Sequence, residues 1–213
     1  MATACIPGVN FWSQLRLDPS KNECGNSSQS PIHIQVRSTI CAYIPMSYIN
    51  YRKPLLSPSI VNNGHTVQVS APLDRYHGVG LSHPASRFRF LQLHFHWGNS
   101  SARGSEHVVD DNHYCMEMHL VHVNTRYETV EEASKHHDGI AVVAVLFEMD
   151  VFRRVHARGH DNGTTHDLVD NYRPPMPLNG RYVLRNFLCP PLQKGQTKVH
   201  APARTPDSVE GQE

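Results

Sequence analysis

The sequence predicts a mainly β protein with short helices, and three observations carry that prediction. Ile32 to Val36, Leu91 to Trp97 and Cys115 to Asn124 alternate in character every second residue, the mark of a strand with one buried face. Ile140 to Phe147 is apolar on both faces and of strand length, so it reads as a central strand buried on each side. Only Thr129 to His137 reads as a helix, and it is short, with Gly139 just past its end.

Size and charge narrow the function classes. A chain of 213 residues suffices for one domain with a real core, or two small ones. The net charge of +1 gives no electrostatic argument for nucleic acid or an anionic membrane as partner. No apolar run reaches the length of a membrane span. Met1 to Asn10 lacks the basic and apolar regions of a signal peptide, so the chain as written is expected to stay in the cytosol. Three glycosylation triplets, at Asn26, Asn99 and Asn162, point the other way, toward an extracellular or membrane-anchored parent. The five cysteines form no C-x-x-C pair, and an odd number leaves at least one thiol without an intramolecular partner.

Along the chain, Phe11 and Trp12 anchor a polar, turn-rich start. Pro45 to Pro58 reads as short extended pieces. Ile60 to Val69 reads as strand, turn at Asn63-Gly64, and strand. Gly78 to Ser86 reads as loop, and Ser100 to Asp111 as a polar connection. Val151 to Asp167 shows no convincing periodicity. Arg181 to Phe187 is a last strand, and Leu192 to Glu213 has the composition of a disordered tail.

The chemistry gathers on two of these strands. In Leu91 to Gly98, the residues Leu91, Leu93, Phe95 and Trp97 fall on one side, and Gln92, His94 and His96 on the other. Histidines at i and i+2 stand about 7 Å apart on one strand face and can reach one metal ion. In a chain with sixteen histidines, they are equally well a surface pair. On Cys115 to Asn124, Glu117, His119 and Val121 share a face. Three imidazoles with an open fourth position make the catalytic zinc arrangement. Gln92 and Glu117 are placed to accept the ligands' second ring N–H, although a Glu beside a His is also an ordinary cross-strand pair.

The segments Gln29-Ser30-Pro31-Ile32, Asn62-Asn63-Gly64-His65, Leu91 to Gly98, Gly104-Ser105-Glu106-His107, Glu117 to His122 and Asp138 to Val142 occur in that order. Asn171-Tyr172-Arg173-Pro174-Pro175 and Pro177-Leu178-Asn179-Gly180-Arg181 follow. Together they resemble an α-class carbonic anhydrase of the extracellular type, over a domain from 11 to 187 with a tail from 188 to 213. The resemblance implies a central twisted, mostly antiparallel sheet and zinc-dependent, reversible hydration of CO2 to bicarbonate and a proton. His94, His96 and His119 would hold the zinc, with Gln92, Glu117 and the Asn171 backbone behind them. Zinc in such a site lowers the pKa of its water to about 7, a figure for which carbonic anhydrases are themselves the reference case. His65 would carry the proton to buffer, a task suited to an imidazole of pKa about 6.5. Without the resemblance it reads as an ordinary turn histidine. Val121 and Val142 would line the apolar side of the CO2 pocket, and Glu106 would belong to the relay orienting the nucleophile.

The sequence also departs from that family. Glu106 should hold a threonine from a Ser-Leu-Thr-Thr-Pro-Pro motif, and no such motif exists here; Thr164-Thr165 is followed by His166. After Asp150 the chain passes directly to Val151-Phe152-Arg153-Arg154, so about 70 residues of a domain of about 250 are missing near 150/151. That loss is expected to leave Ile140 to Phe147 as an exposed apolar edge and Cys24 without its partner. A zinc-binding but inactive isoform is therefore the alternative to an active enzyme.

Overall fold

The structure is a computed structural model that describes residues 27–42, 44–71, 77–82, 85–148, 158–161, 164–187 and 189. Phe11, Trp12, Cys24, the 150/151 junction and residues 190–213 lie outside these.

Its strands are β1 (His33–Ile34), β2 (Ile40–Cys41), β3 (Met46–Ile49), β4 (Ser59–Asn62), β5 (Val67–Ser70), β6 (Gly78–Ser82), β7 (Ala85–Trp97), β8 (Val108–Val109) and β9 (Met116–Asn124). After the one α-helix among the described residues, α1 (Val130–Ala133), come β10 (Ile140–Phe147), β11 (Arg158–Asp161), β12 (Thr164–Asp167) and β13 (Leu184–Arg185). Seven strands form one antiparallel sheet in the order β10-β9-β7-β5-β4, with β6 pairing both β7 and β3. Two short parallel pairs, β1–β8 and β13–β2, flank it. This is the mainly β architecture that the alternating stretches predict, with the mostly antiparallel sheet that the resemblance implies.

The long strand β7 is the spine, and a bulge makes it serve two purposes. Phe90 pairs with His122 and Gln92 with Val121, so Leu91 is the extra residue. The bulge inverts the alternation at this point. Phe88 and Phe90 before it, and Leu93, Phe95 and Trp97 after it, thereby share the face carrying Met116, Met118 and Leu120 of β9. Phe90, not Leu91, continues the apolar row. Trp97, Cys115, Met116 and Leu168 form a buried cluster on this side, with Val67, Phe95 and Phe147 packed against it. The opposite face is left to Gln92, His94 and His96.

Several expectations change. Gly78 to Ser86 is not a loop: β6 fills most of it and β7 begins at Ala85. Gly78 disguises the strand, yet a Cβ there would stand 2.1 Å from the Phe88 carbonyl oxygen, so only glycine allows this pairing. Val151 to Asp167 contains the antiparallel pair β11–β12, with Asp161 paired to Thr164; in sequence the dipeptide Asn162-Gly163 lies between them. That dipeptide is a strong hairpin signal that outweighs weak periodicity. The strand at Ile32 to Val36 shrinks to β1, because a 3-10 turn starts at Val36. The last strand shrinks to β13. The helix keeps only four residues, capped by Thr129, whose hydroxyl accepts from Glu132 N–H at 3.1 Å.

The largest correction concerns β10. Its bounds match the expected strand, but among the described residues it pairs only with β9 and stands at the sheet's edge. Val143, Val145 and Phe147 lie on the core face, while on the site face Ile140 and Val142 are 40% and 50% exposed. It is the exposed apolar edge, not the doubly buried strand.

Candidate metal centre

Cross-strand register assembles the site. Antiparallel pairing of β7 with β9 sets His94 opposite His119, His96 opposite Glu117 and Gln92 opposite Val121, all on one face. β5 adds Gln68 opposite His94, and β10 adds Val142 opposite Val121. The imidazoles of His94, His96 and His119 converge, with ring centroids 5.0, 5.2 and 4.7 Å apart pairwise. One nitrogen from each lies within 4.8 Å of the others.

Hydrogen bonds behind each ring decide which nitrogen is free. His94 Nδ1 meets Gln92 Oε1 at 3.0 Å, His96 Nδ1 meets the Asn171 carbonyl at 2.7 Å, and His119 Nε2 meets Glu117 Oε1 at 2.6 Å. Each partner is an oxygen acceptor, so each of these nitrogens carries the proton and the other ring nitrogen keeps its lone pair. His96 Nε2 is buried with no hydrogen-bond partner. A buried, unpartnered acceptor is costly, and three convergent lone pairs are what a borderline-soft divalent cation satisfies. The residues fit a zinc ion.

Electrostatics agree. Burial, reinforced by His96 and His119, pushes the His94 imidazole down to about 4. Burial likewise pushes His96 down to about 4, against the opposing pull of the Asn171 carbonyl. Both rings are therefore neutral, the form that binds metal, throughout the physiological range. Glu117 is fully buried and its carboxylate takes four donors. Glu106 N–H and His107 N–H reach Oε2 at 2.9 and 2.7 Å, while His107 Nδ1 and His119 Nε2 each reach Oε1 at 2.6 Å. Burial alone would raise this carboxyl, but the bonds from His107 and His119 outweigh it and hold it well below the usual range.

Glu106 sits beside this group, buried, with Oε1 accepting the Arg173 backbone N–H at 2.8 Å. Burial pushes its carboxyl up, against the Arg173 N–H. No hydroxyl among the described residues donates to it. His65 is exposed in the turn after β4, where Gly64 has φ +86°. Its backbone carbonyl accepts from Asn171 Nδ2 at 2.9 Å, but no hydrogen bond joins its ring to the trio among the described residues. Val121 and Val142 adjoin on the site face, Val142 half open.

Three further contributions matter here, two from residues to which the sequence assigns no role and one from the Asn171 side chain, expected only through its backbone. His107 fixes Glu117, the Arg173 backbone fixes Glu106, and the Asn171 side chain ties Trp97 N–H, the Phe95 carbonyl and the His65 turn together. None lies on a periodic strand, so alternation could not find them; adjacency of His107 to Glu106 was the available signal.

Comparison with known proteins settles the lineage. A family model for eukaryotic-type carbonic anhydrase matches residues 8–156. The chain belongs to the eukaryotic-type carbonic anhydrase family. It is 42% identical to carbonic anhydrase 15 of Mus musculus over 149 residues, which are 65% of this chain and 43% of that protein. It is 37% identical to carbonic anhydrase 6 of Mus musculus over 149 residues, 68% of this chain and 44% of that protein. It is 38% identical to carbonic anhydrase 12 of Homo sapiens over 150 residues, 68% and 40% respectively. The matched stretch thus spans less than half the length of these relatives. It contains the three histidines, Gln92, Glu106 and Glu117. Asn171 and Arg173 lie beyond it and join the site through their hydrogen bonds.

Proposed function

We propose that His94, His96 and His119 hold one zinc ion and that the chain carries a carbonic anhydrase centre for the reversible hydration of CO2, working below the family's full rate. The unpartnered, buried His96 Nε2 among three convergent imidazoles is the observation that carries this reading. Zinc supplies the Lewis acidity that makes a water acidic near neutral pH, the carbonic anhydrases being the reference case.

The chain's own groups do the rest. Gln92, Glu117 and the Asn171 carbonyl fix ring orientation and tautomer, so that the three lone pairs point at one spot. Val121 and Val142 offer the apolar side on which CO2, without charge or dipole, rests. Glu106 stands as the acceptor of a relay, aligned by the Arg173 N–H. His65, exposed on its turn, takes the proton outward to buffer through water. Its tether through Asn171 keeps this turn in register with His96.

The reduced rate follows from Glu106. The family's partner for it is a threonine hydroxyl, and no described hydroxyl reaches Glu106 here. Loss of one such oriented contact costs about 3 kcal/mol, roughly a hundredfold in rate. The same observation supports the second reading, a zinc-binding protein without useful catalysis. Stopped-flow CO2 hydration with the zinc-loaded chain separates them. Turnover above the zinc-free chain that is lost in His119→Ala supports the enzyme; turnover indistinguishable from buffer leaves only the binding protein.

A further inference from the structure

The acceptor triplet Asn99-Ser100-Ser101 stands where β7 leaves the sheet, and all three residues are exposed. The Asn99 backbone N–H is held by Asp170 Oδ1 at 3.0 Å, which fixes the turn, while no hydrogen bond among the described residues engages its carboxamide. Other asparagines use theirs to hold backbone: Asn62, Asn63, Asn112, Asn124, Asn171 and Asn179 all do so. No hydrogen bond among the described residues engages the Asn186 side chain either, but Phe187-Leu188 follows it, which is no acceptor triplet. The one described triplet therefore coincides with a side chain whose Nδ2 can take a bulky substituent without breaking a structural bond. The other two, at Asn26 and Asn162, lie outside the described residues.

An independent observation points to the same compartment. Cys41 and Cys189 form a disulfide across 148 residues of sequence, with Cα atoms 5.6 Å apart. Such bonds persist in oxidising compartments, which include the lumen where asparagine triplets are modified.

We propose that Asn99 is an N-glycosylation site. Transfer from a lipid diphosphate oligosaccharide joins the sugar C1 to Asn99 Nδ2 and breaks the C1–O bond of the donor. The lipid diphosphate leaves, and the amide proton goes to solvent. The attached glycan stands at the end of the sheet where Trp97, Met116 and Phe147 align across β7, β9 and β10. That end lies two strand spacings, about 10 Å, from the free apolar edge. Trp97 and Gly98 separate it from His96, so the imidazole trio stays open.

The full chain, produced behind a cleavable secretory leader in cultured mammalian cells, tests this. The tryptic peptide Phe90–Arg103 contains Asn99 as its only asparagine. After N-glycosidase treatment of the secreted or microsomal protein, this peptide should carry the mass step of asparagine converted to aspartate. Asn99→Gln should remove one glycan from the electrophoretic ladder and leave the zinc content unchanged. Recovery of Phe90–Arg103 unmodified, or a ladder insensitive to Asn99→Gln, would overturn the proposal.

Discussion

Glu117 shows at single-residue scale why the site holds its shape. A carboxylate with no solvent exposure survives only if its lone pairs are filled, and four N–H donors from Glu106, His107 and His119 fill them. Glu117→Gln replaces one acceptor oxygen with an NH2 that faces donors and frees the His119 ring to turn. Zinc affinity should fall about 10–100-fold, the usual range for a residue behind a metal ligand, with carbonic anhydrases themselves a reference case. Competition against a chromogenic chelator measures this, and an unchanged affinity would contradict the role. The histidines also set a pH dependence. Unfolded imidazoles take protons near 6.5, whereas folded His94 and His96 take them only at about 4. Between those values the unfolded chain binds more protons, so acidification favours unfolding. The metal-free protein should lose stability in urea as the pH falls from about 6.5 to about 4, and a flat profile over that window would count against buried, neutral imidazoles. At this scale the trio, Gln92 and Glu117 were legible because strand alternation exposes them. His107 and Arg173 were not, since loop residues reach the site through folding that no period encodes.

At the scale of elements, β10 and β7 teach opposite lessons. The bounds of β10 could be read from sequence to the residue, but its surroundings could not. An apolar residue on each face says that burial would be favourable, not that a neighbouring strand exists to provide it. Ile140 and Val142 face solvent on an uncharged strand whose second edge meets no other strand among the described residues, a template for edge pairing. Ile140→Lys should raise the concentration at which the protein stays monodisperse by light scattering. Because Ile140 is 40% exposed, its stability should shift by no more than about 0.5 kcal/mol. Unchanged aggregation would show that the edge is not the sticky surface. In β7 the reverse holds: the alternation was read correctly from Gln92 onward, but the bulge at Leu91 was invisible. Only the partner strand reveals that Phe90 and Leu93 share a face.

For the whole molecule, a strap from Leu168 to Cys189 ties distant parts to one site. Trp97 Nε1 donates to the Leu168 carbonyl, Asn171 holds β7 and the His65 turn, and the Arg173 guanidinium reaches Gln29 and Ser30. The strap then pairs through β13 with β2 and closes at Cys41–Cys189. The fold class came from local periodicity, whereas this closure rests on contacts more than 70 residues apart in sequence, which no local pattern records. The central claim is that sheet and strap together prepare three convergent imidazoles for one metal ion. Zinc per chain, determined by atomic emission after dialysis of the purified protein against zinc and then metal-free buffer, tests it most directly. The account predicts one zinc per chain, lost in His96→Ala; a folded chain that retains no zinc, or a His96→Ala variant that keeps it, would contradict it.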